Sequence, residues 1–554
     1  MRLTSRRFAL LACTLVAACR GTDARPTGGV VVVSSGADAE TLFPPLAGTN
    51  QGLAATGLLF DKLAEIGPAM NTLGDAGFEP RLAKSWEWSR DSLTITFHLD
   101  PAARWHDGQP VTAHDVQYAF RVWNDTLVGA SSRASLSIVD SIAAPDAHTA
   151  RVHFRTRSPE QFYSLVYTLV PLPAHRLEAI PDTALAQSPL VRTPVGSGPF
   201  RFVSWTPRVR LELAAVPSYY RGRPTVDGVA FVIAAQGATV AARLLAGEAD
   251  FMEQLSPPDF AQLPANGAVK SKPYGSLDYA FLQFNLHEPS SPAQPHALFA
   301  DRALRRALAM IVDRTAIARS VWGDSLAQPA LGPFARSQWT ADTSLGGIAH
   351  DPRGAARILD SLGWIDTNGD GVRERNGRPL AFSLLYPASS RSRAAAAVIL
   401  QAQLQAVGVR VTLEQSDFNT FFDRARRHDF DALVNAIRTS PSPRGIIETW
   451  SSPSMGRGEK NYGGWSNATF DAHLDSAMSA ATTEAMRAHL HAAYRVAIDD
   501  APAIWLYEPR LFAGLHQRLT TGPLRADAWW ANLATWSIDP AQRLPRDRRA
   551  PATP

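Results

Sequence analysis

Segments with the periodicity of β-strands alternate with segments that have the periodicity of amphipathic helices along most of this chain. Residues 94–99 alternate between polar and apolar side chains, which predicts a strand. A helix is predicted after the turn at 106–110, because Thr112 is a typical N-cap residue and Asp115 follows three positions later. This alternation predicts an α/β or mixed fold. Further strands are predicted at 150–155, 200–216, 228–234, 279–286, 429–437 and 503–509.

The second half of the chain contains the most clearly marked helices. A helix predicted from Asp301 to Val321 has apolar residues spaced along one face. The helix predicted at 351–364 has Asp351 as its N-cap, proline in its first position and a glycine at its end. Three more helices are predicted at 391–407, 468–480 and 484–499.

The composition is that of a folded protein with a large core and little net charge. Of the 554 residues, 45% are hydrophobic and 19% are charged, and the formal net charge is +4. The 55 basic and 51 acidic residues are interspersed, whereas a nucleic-acid-binding protein usually has a basic patch or stripe. The length predicts two or three domains, and nucleic acid is not expected among the partners.

The N-terminal residues have the pattern of an export signal. A basic segment at 1–7 precedes an apolar segment at 8–18, which is too short to span a bilayer. The sequence LVAAC that ends at Cys19 resembles the lipobox of bacterial lipoproteins, which implies removal of residues 1–18 and acylation of Cys19. Residues 19–28 are then a flexible tether on the extracytoplasmic face of a membrane. The choice between the general and the twin-arginine export route stays open.

Short motifs that resemble catalytic, nucleotide or metal sites each lack a required feature. In RTPVGSGPFRFVSW at 192–205, the glycines precede a predicted strand instead of a helix, so no phosphate site is expected. The segment 366–377 resembles a calcium-binding loop, but Gly377 stands where a bidentate glutamate is required. GDSL at 323–326 follows a helix, and no histidine cluster has metal-ligand spacing. We therefore predict no catalytic residue, no metal ligand and no cofactor, and leave the calcium affinity of 366–377 open.

Several sequence blocks occur together in an order that points to one family. The longest is LAKSWEWSRDSLTITFHLDPAARWHDGQPVTAHDVQYAF, in which a tryptophan-containing strand pair leads through a turn into a helix. It is followed along the chain by PVGSGPFRFVSW, VPSYYRGRP, FLQFN, DRALRRALAMIVDRTAI, DPRGAARILDSLGW and FDALV. Together these blocks resemble the family 5 solute-binding proteins of bacterial ABC importers, whose best-known members bind dipeptides and oligopeptides.

The resemblance implies a fold, a division into lobes and a role in transport. The fold class is α/β, a two-lobe clamp like the type II periplasmic binding proteins, with an extra subdomain. Such a protein is a monomer without enzymatic activity that captures a peptide or another small solute. It delivers this solute to the permease subunits of an ABC importer, while a lipid anchor holds it in the periplasm or on the extracytoplasmic face. Lobe I would comprise 29–57, 190–283 and 506–545, the extra subdomain 58–189, and lobe II 284–505, with crossing strands near 283–287 and 503–508.

The resemblance also implies a set of ligand-binding residues in the cleft. In the peptide-binding members, an acidic residue after the FD strand pairs with the amino group of the peptide, and Ser440 stands at that position here. Arg438, two residues earlier, would favour a carboxylate or phosphate on the ligand if it faces the cleft. An extended ligand would add a strand at the edge 434–438. The candidate ligand-binding residues are Glu40 in the segment 29–44, which is predicted to be a buried strand followed by a turn, Asn435, Ile437, Arg438, Thr439 and Ser440 around the edge 434–438, and Trp450 and Trp465 as stacking walls.

Other functions stay open at this point. The same fold can hold an oligosaccharide, a metal chelate or an acidic small molecule instead of a peptide, because one fold hosts many ligands. An exported hydrolase would need a nucleophile and a base that converge in the cleft, and the sequence contains no such signature. A surface receptor or chaperone that takes no part in import is a third alternative.

Overall fold

The computed structural model describes residues 28–130, 132–289, 291–455 and 460–548. Cys19, the predicted signal peptide and residues 19–27 of the predicted tether lie outside these ranges. Within them, no helix combines the length and the apolar character that a membrane span requires. Two large sheets and one smaller sheet organise the described residues, and helices cover their faces.

The first large sheet has seven strands, and its centre is parallel. The strand Val30–Ser35 lies between Gly228–Ile233 and Phe251–Met252 and pairs parallel to both. Residues 31–33 are buried, as expected for a continuous apolar run in a strand that is covered on both faces. In spatial order the strands are Val269–Tyr274, Leu511–His516, Phe251–Met252, Val30–Ser35, Gly228–Ile233, Arg210–Ala215 and Phe200–Thr206.

The second large sheet has six strands and comes mainly from the second half of the chain. Ala381–Pro387 and Arg410–Ser416 are parallel neighbours joined by the helix Arg391–Gln405, which packs Leu400 and Leu404 into the core of this unit. Such a parallel pair requires a crossover of this kind. In spatial order the strands are Ala327–Pro329, Ala503–Pro509, Asp278–Phe284, Ala432–Arg438, Ala381–Pro387 and Arg410–Ser416.

Two adjacent strands of the second sheet connect it to the first. Asp278–Phe284 and Ala503–Pro509 pair antiparallel to each other. The chain changes from the first sheet to the second within residues 275–277 and returns at Arg510. We call the unit around the seven-stranded sheet the first lobe and the unit around the six-stranded sheet the second lobe. Both strands lie wholly in the second sheet, so the predicted lobe limits fall inside them, and the exact division of the chain stays a prediction.

A four-stranded antiparallel sheet forms much of the segment inserted between the helix Asn50–Leu59 and the strand Phe200–Thr206. This is the segment in which the sequence predicts an extra subdomain. The helix Ala113–Asn124 begins with the predicted capping box, since the Asp115 carboxylate accepts the backbone N–H of Thr112 at 2.8 Å. In spatial order the strands are Ala83–Trp88, Thr94–Leu99, Thr149–Phe154 and Val139–Asp146.

The helix predicted from 301 to 321 is instead two helices. Arg302–Ile311 is followed by Arg314–Trp322, and Asp313 caps the second helix by accepting the backbone N–H of Ala316 at 2.9 Å. The break is explained by Asp313, a second N-cap residue within the segment of regularly spaced apolar residues. Other helices are Gln161–Thr168, Ala174–Leu177, Asp182–Leu185, Gly237–Leu245, Pro257–Ala261, Pro352–Ser361, Phe418–Arg426, Arg444–Trp450, Ala468–Met478 and Thr483–Asp500.

The glycine-rich segment at 192–205 is a packing junction of the fold. A Cβ atom on Gly196 would come within 1.9 Å of the Leu59 carbonyl oxygen, so only glycine fits there. The Gly198 backbone N–H donates to the same carbonyl at 2.8 Å. The strand Phe200–Thr206 follows, and this segment therefore lacks the helix N-terminus that a phosphate site requires, as the sequence predicts.

Candidate functional site

A polar cavity of about 320 Å³ opens at the carboxyl ends of the parallel strands in the first sheet. Ligands of open α/β sheets bind at this position, because the strands end there and the following loops offer free polar groups. The cavity is therefore the first candidate for a solute site. Its polar and aromatic wall residues come from separate segments and include Ser34, Asn50, Gln51, Glu253, Gln254 and Trp529.

Glu253 is the only ionisable residue in the wall of this cavity within the described ranges. Its Oε1 atom accepts a hydrogen bond from the Asn50 side chain at 3.2 Å, and the Tyr274 hydroxyl donates to its backbone carbonyl at 3.1 Å. Burial raises the pKa of the Glu253 carboxyl, and this effect outweighs the Arg438 charge and the Asn50 hydrogen bond, which both lower it. No local sequence pattern marks Glu253, since only the fold places it beside Asn50.

Arg438 lies at the end of the strand Ala432–Arg438 and extends from the second lobe to the first. Its Nη2 atom donates to the Ala526 carbonyl at 3.3 Å. Asp278 is its direct partner across the sheet. Burial raises the pKa of the Asp278 carboxyl, although the Arg438 charge lowers it in part. The guanidinium group thus lies in the electrostatic field of two carboxylates, those of Asp278 and Glu253.

The predicted edge at 434–438 has a free side in the described part of the chain. The strand Ala432–Arg438 pairs with Asp278–Phe284 along its whole length. On its other side it pairs with Ala381–Pro387 only at residues 432 and 433. In its second half the Ala436 N–H already donates to the Asn435 side chain at 2.9 Å, and the other outward backbone groups are those with which an extended chain can pair.

The other predicted residues of this strand and of its end make contacts within the protein. Asn435 is buried and accepts a hydrogen bond from Arg393 at 3.1 Å. Ile437 packs against the core of the second lobe. The Thr439 hydroxyl donates to the Leu277 carbonyl at 2.9 Å. These contacts shape the end of the strand, and a role in ligand binding stays a prediction for all three residues.

The predicted loop residues Glu40 and Ser440 differ in how far their side chains are engaged. The Glu40 carboxylate accepts the backbone N–H groups of Gly48 and Thr49. Partial burial raises the pKa of Glu40, but these hydrogen bonds outweigh it and the net shift is downward. Glu40 therefore holds the loop before the helix Asn50–Leu59. Ser440 is exposed, and its carbonyl accepts a hydrogen bond from Gln338 at 3.1 Å.

Trp450 and Trp465 are core residues of the second lobe. The Trp450 side chain is 0% exposed, and its Nε1 atom donates to the Tyr279 hydroxyl at 3.2 Å. Trp465 is 1% exposed, and its Nε1 atom donates to the Asp500 carboxylate at 2.7 Å. Neither ring has a free face on which a solute can stack, so the prediction that they are cleft walls is corrected. Core packing accounts for the large apolar area of both rings.

A larger cavity of about 510 Å³ lies against another face of the helix Asn50–Leu59. Its wall contains Arg525, which is nearly buried and contacts both Glu65 and Asp527 at 2.9 Å. Burial lowers the pKa of Arg525, but these two carboxylates outweigh it and the net shift is upward. Arg525, the most buried cation of this wall, thus already has its partners. Glu253 in the smaller cavity has no partner of opposite charge in contact among the residues that the structure describes.

The extra subdomain contacts the second lobe through Glu160. This buried carboxylate accepts hydrogen bonds from the hydroxyls of Thr72 in the subdomain and Ser442 in the second lobe, the latter at 2.8 Å. The Arg444 Nε atom lies 3.4 Å from the same carboxylate. Burial raises the pKa of Glu160, in opposition to these three partners, which lower it. A buried polar contact therefore holds the second lobe against the subdomain in this conformation.

The loop 366–377 has the geometry of a polar turn. The Asp366 carboxylate accepts the backbone N–H groups of Gly369 at 2.7 Å and Gly371 at 3.0 Å. Among the residues that the structure describes, no group of three or more metal-ligating side chains is found. The carboxylate is therefore engaged by the turn itself.

Comparisons with curated proteins place these features in a family. Residues 77–456 match the model of the bacterial extracellular solute-binding proteins, family 5. The oligopeptide-binding protein AppA of Bacillus subtilis is 24% identical over 498 residues, which cover 89% of this chain and 88% of that protein. Protein XP55 of Streptomyces lividans is 27% identical over 449 residues, which cover 80% of this chain and 77% of that protein.

Solved structures show the same fold. AppA of Bacillus subtilis in complex with a nonapeptide has a TM-score of 0.72 at 23% identity and covers 92% of this chain and 99% of its own. The ABC transporter substrate-binding protein CtaP of Listeria monocytogenes has a TM-score of 0.79 at 22% identity and covers 93% of this chain and 100% of its own. These matches confirm the α/β two-lobe fold and the resemblance that the sequence blocks carry. The chain belongs to the bacterial extracellular solute-binding proteins of family 5.

Proposed function

We propose that this protein is the extracytoplasmic, lipid-anchored component of an ABC importer that captures a peptide and delivers it to a membrane permease. The observation that carries this proposal is the polar cavity at the carboxyl ends of the parallel strands in the first sheet, whose residue Glu253 is influenced by the charge of the lobe-bridging residue Arg438. Two short connections between the lobes allow a hinge motion that admits and releases a solute. AppA, which is similar along most of its length, is named for oligopeptide binding.

The free side of the strand Ala432–Arg438 supports a peptide as the solute. An extended peptide can pair with its backbone, and this mode of binding tolerates many side chains. Oligosaccharides, metal chelates and small acids lack this pattern of backbone donors and acceptors.

The sequence around Cys19 supports the lipid anchor, and membrane fractionation of the full chain is its test.

Native mass spectrometry of a soluble form that begins after Cys19 tests the peptide ligand. We expect protein purified without denaturation to carry a ladder of adducts with the masses of short peptides. After denaturation and refolding, the stripped protein should retain tetra-alanine from an equimolar mixture with maltotetraose. A single non-peptide adduct, or retention of the sugar alone, would contradict a peptide ligand.

The same experiment separates a binding protein from a hydrolase. We propose that the protein has no enzymatic activity, and the free peptides should therefore keep their intact masses during prolonged incubation. Product masses that accumulate with time would show turnover and refute a purely binding role.

Weakening the contact between the subdomain and the second lobe is expected to lower the affinity for peptide. If the lobes separate to admit the solute, the contacts of Ser442 and Arg444 with Glu160 exist only in the closed form. Glu160→Gln removes the charge that strengthens both contacts, and we expect a loss of affinity of about 10-fold by isothermal titration calorimetry.

Glu178→Gln is the matched control for this prediction. Glu178 lies in the same subdomain and forms an exposed pair with His114 at 3.1 Å. We expect its affinity to equal that of the wild type, because exposed pairs contribute little. Equal affinities for both variants would show that the Glu160 contact does not depend on closure.

A further inference from the structure

The cavity in the first lobe has a charge preference of its own. Within the described residues, Glu253 is the only ionisable side chain in its wall, and Asn50, Gln51 and Gln254 are neutral amides. An amide offers both donors and an acceptor, so these side chains do not select the charge of a solute. The carboxylate of Glu253 therefore determines the charge that a solute meets in this cavity.

Among the described residues, no basic side chain contacts the Glu253 carboxylate. In the described ranges, no lysine, arginine or histidine nitrogen lies within 4.0 Å of its oxygens, and its Oε1 atom accepts one neutral hydrogen bond from Asn50. A carboxylate removed from water costs free energy unless it gains a charged or strongly donating partner. The raised pKa of Glu253 has burial as its main cause and is consistent with this missing partner.

Arg438 does not supply that partner. It lies directly across the sheet from Asp278, and its Nη2 atom donates to the Ala526 carbonyl. Its single positive charge stands against the two carboxylates of Glu253 and Asp278. One negative charge is therefore left over among these three side chains.

We propose that the cavity binds a positively charged group of the solute, an ammonium or guanidinium group, with Glu253 as its carboxylate partner. This inference rests on the proposed role as a peptide-binding protein and specifies which peptides it takes. A cation there gains a charge-assisted hydrogen bond to Glu253. Glu253 would repel a carboxylate or phosphate. The preference for an anionic ligand that Arg438 alone predicts is therefore reversed.

Competition in native mass spectrometry tests this proposal. The probes are four C-terminally amidated peptides of equal length, so that no terminal carboxylate contributes: tetra-alanine, N-acetyl-tetra-alanine, and N-acetylated tetrapeptides that contain one lysine or one glutamate. We expect the wild type to retain the two cationic peptides about 10- to 100-fold more than the neutral and acidic ones. In Glu253→Gln this enrichment should disappear. Enrichment that persists in Glu253→Gln, or a preference of the wild type for the acidic peptide, would overturn the proposal.

Asp278→Asn is the matched control variant. Asp278 faces Arg438 but does not line the cavity, so Asp278→Asn should keep an enrichment of cationic peptides of the same sign, reduced because Arg438 then faces one carboxylate fewer. Thermal unfolding of each variant shows whether it is folded. If Glu253→Gln does not fold, Glu253→Asp takes its place, and the shorter carboxylate should retain a smaller enrichment of the same sign. Loss of enrichment in Asp278→Asn alone would place the cation site at Asp278 and overturn the role of Glu253.

The experiment also separates this proposal from the proposed function. Retention of all four peptides without a charge preference leaves the peptide ligand in place and overturns the cation site. If no peptide is retained, the peptide ligand fails, and the cavity is tested with agmatine and glutarate at equal concentration. Agmatine retention that Glu253→Gln abolishes supports the cation site. Retention of glutarate, or of neither compound, overturns it.

Discussion

Arg518→Leu is expected to destabilise the protein by about 3–5 kcal/mol, because it leaves two buried carboxylates without their main partner. The Arg518 side chain is 1% exposed, and its Nε atom lies 2.6 Å from Asp250 while Nη1 contacts Asp547. Asp250 in turn accepts the backbone N–H of Val32 at 2.9 Å, and Asp547 accepts that of Val30 at 3.2 Å. The network therefore joins the first strand of the chain to its C-terminal segment.

Urea unfolding followed by tryptophan fluorescence measures this effect. Arg210→Leu is the control, since Arg210 forms an exposed pair with Glu212 at 2.6 Å and should change the free energy of unfolding by less than about 1 kcal/mol. If Arg518→Leu changes the free energy of unfolding by as little as the control does, Arg546, which lies 2.8 Å from Asp250, is sufficient to neutralise the Asp250 carboxylate.

Local periodicity predicts most of the individual strands and helices, because each depends on residues that are close together in the chain. The strand Thr94–Leu99 and the capping box of the helix Ala113–Asn124 are confirmed in this way. The break at Asp313 is not predictable from periodicity, since the apolar spacing continues through it. The Asp313 backbone N–H donates to the distant Gln403 side chain at 3.0 Å, a contact that only the fold creates.

The arrangement of these elements follows from family resemblance and not from the residues alone. Arg518 and Asp250 are 268 positions apart, so no local pattern links them. The same holds for the two strands that connect the lobes, whose pairing brings Phe281 against Trp505. Seven ordered sequence blocks identify the family, and the family supplies this long-range pairing.

The candidate site is only partly predictable for the same reason. The sequence locates the strand that carries Arg438, and an isolated arginine indicates an anionic ligand. The structure adds Asp278 from a neighbouring strand and Glu253 from the other lobe, and these carboxylates change the sign of the local charge. Burial is equally non-local, since distant strands decide whether a tryptophan lines a cleft or fills a core.

Trp450→Ala tests that distinction and is expected to cost about 3–5 kcal/mol of folding free energy. The Trp450 ring packs against Phe281 with centroids 5.2 Å apart and against Trp505 at 5.7 Å. Both partners lie on the strands that connect the lobes, so the alanine variant leaves a cavity beside them. If Trp450 only lined the cleft, its replacement by alanine would instead lower the peptide affinity and leave the free energy of unfolding unchanged.

The control for Trp450→Ala is Phe418→Ala, because Phe418 is a large apolar residue that is exposed in the structure. Its removal should change the free energy of unfolding by less than about 1.5 kcal/mol, because it loses one edge-on pair with Phe422 at 4.9 Å and leaves no core cavity. Urea unfolding gives the stability of each variant, and calorimetric titration of the folded protein gives its peptide affinity. If Trp450 is a core residue, Trp450→Ala loses much of its stability and Phe418→Ala does not. Wild-type stability with reduced affinity would return Trp450 to the wall of the cleft.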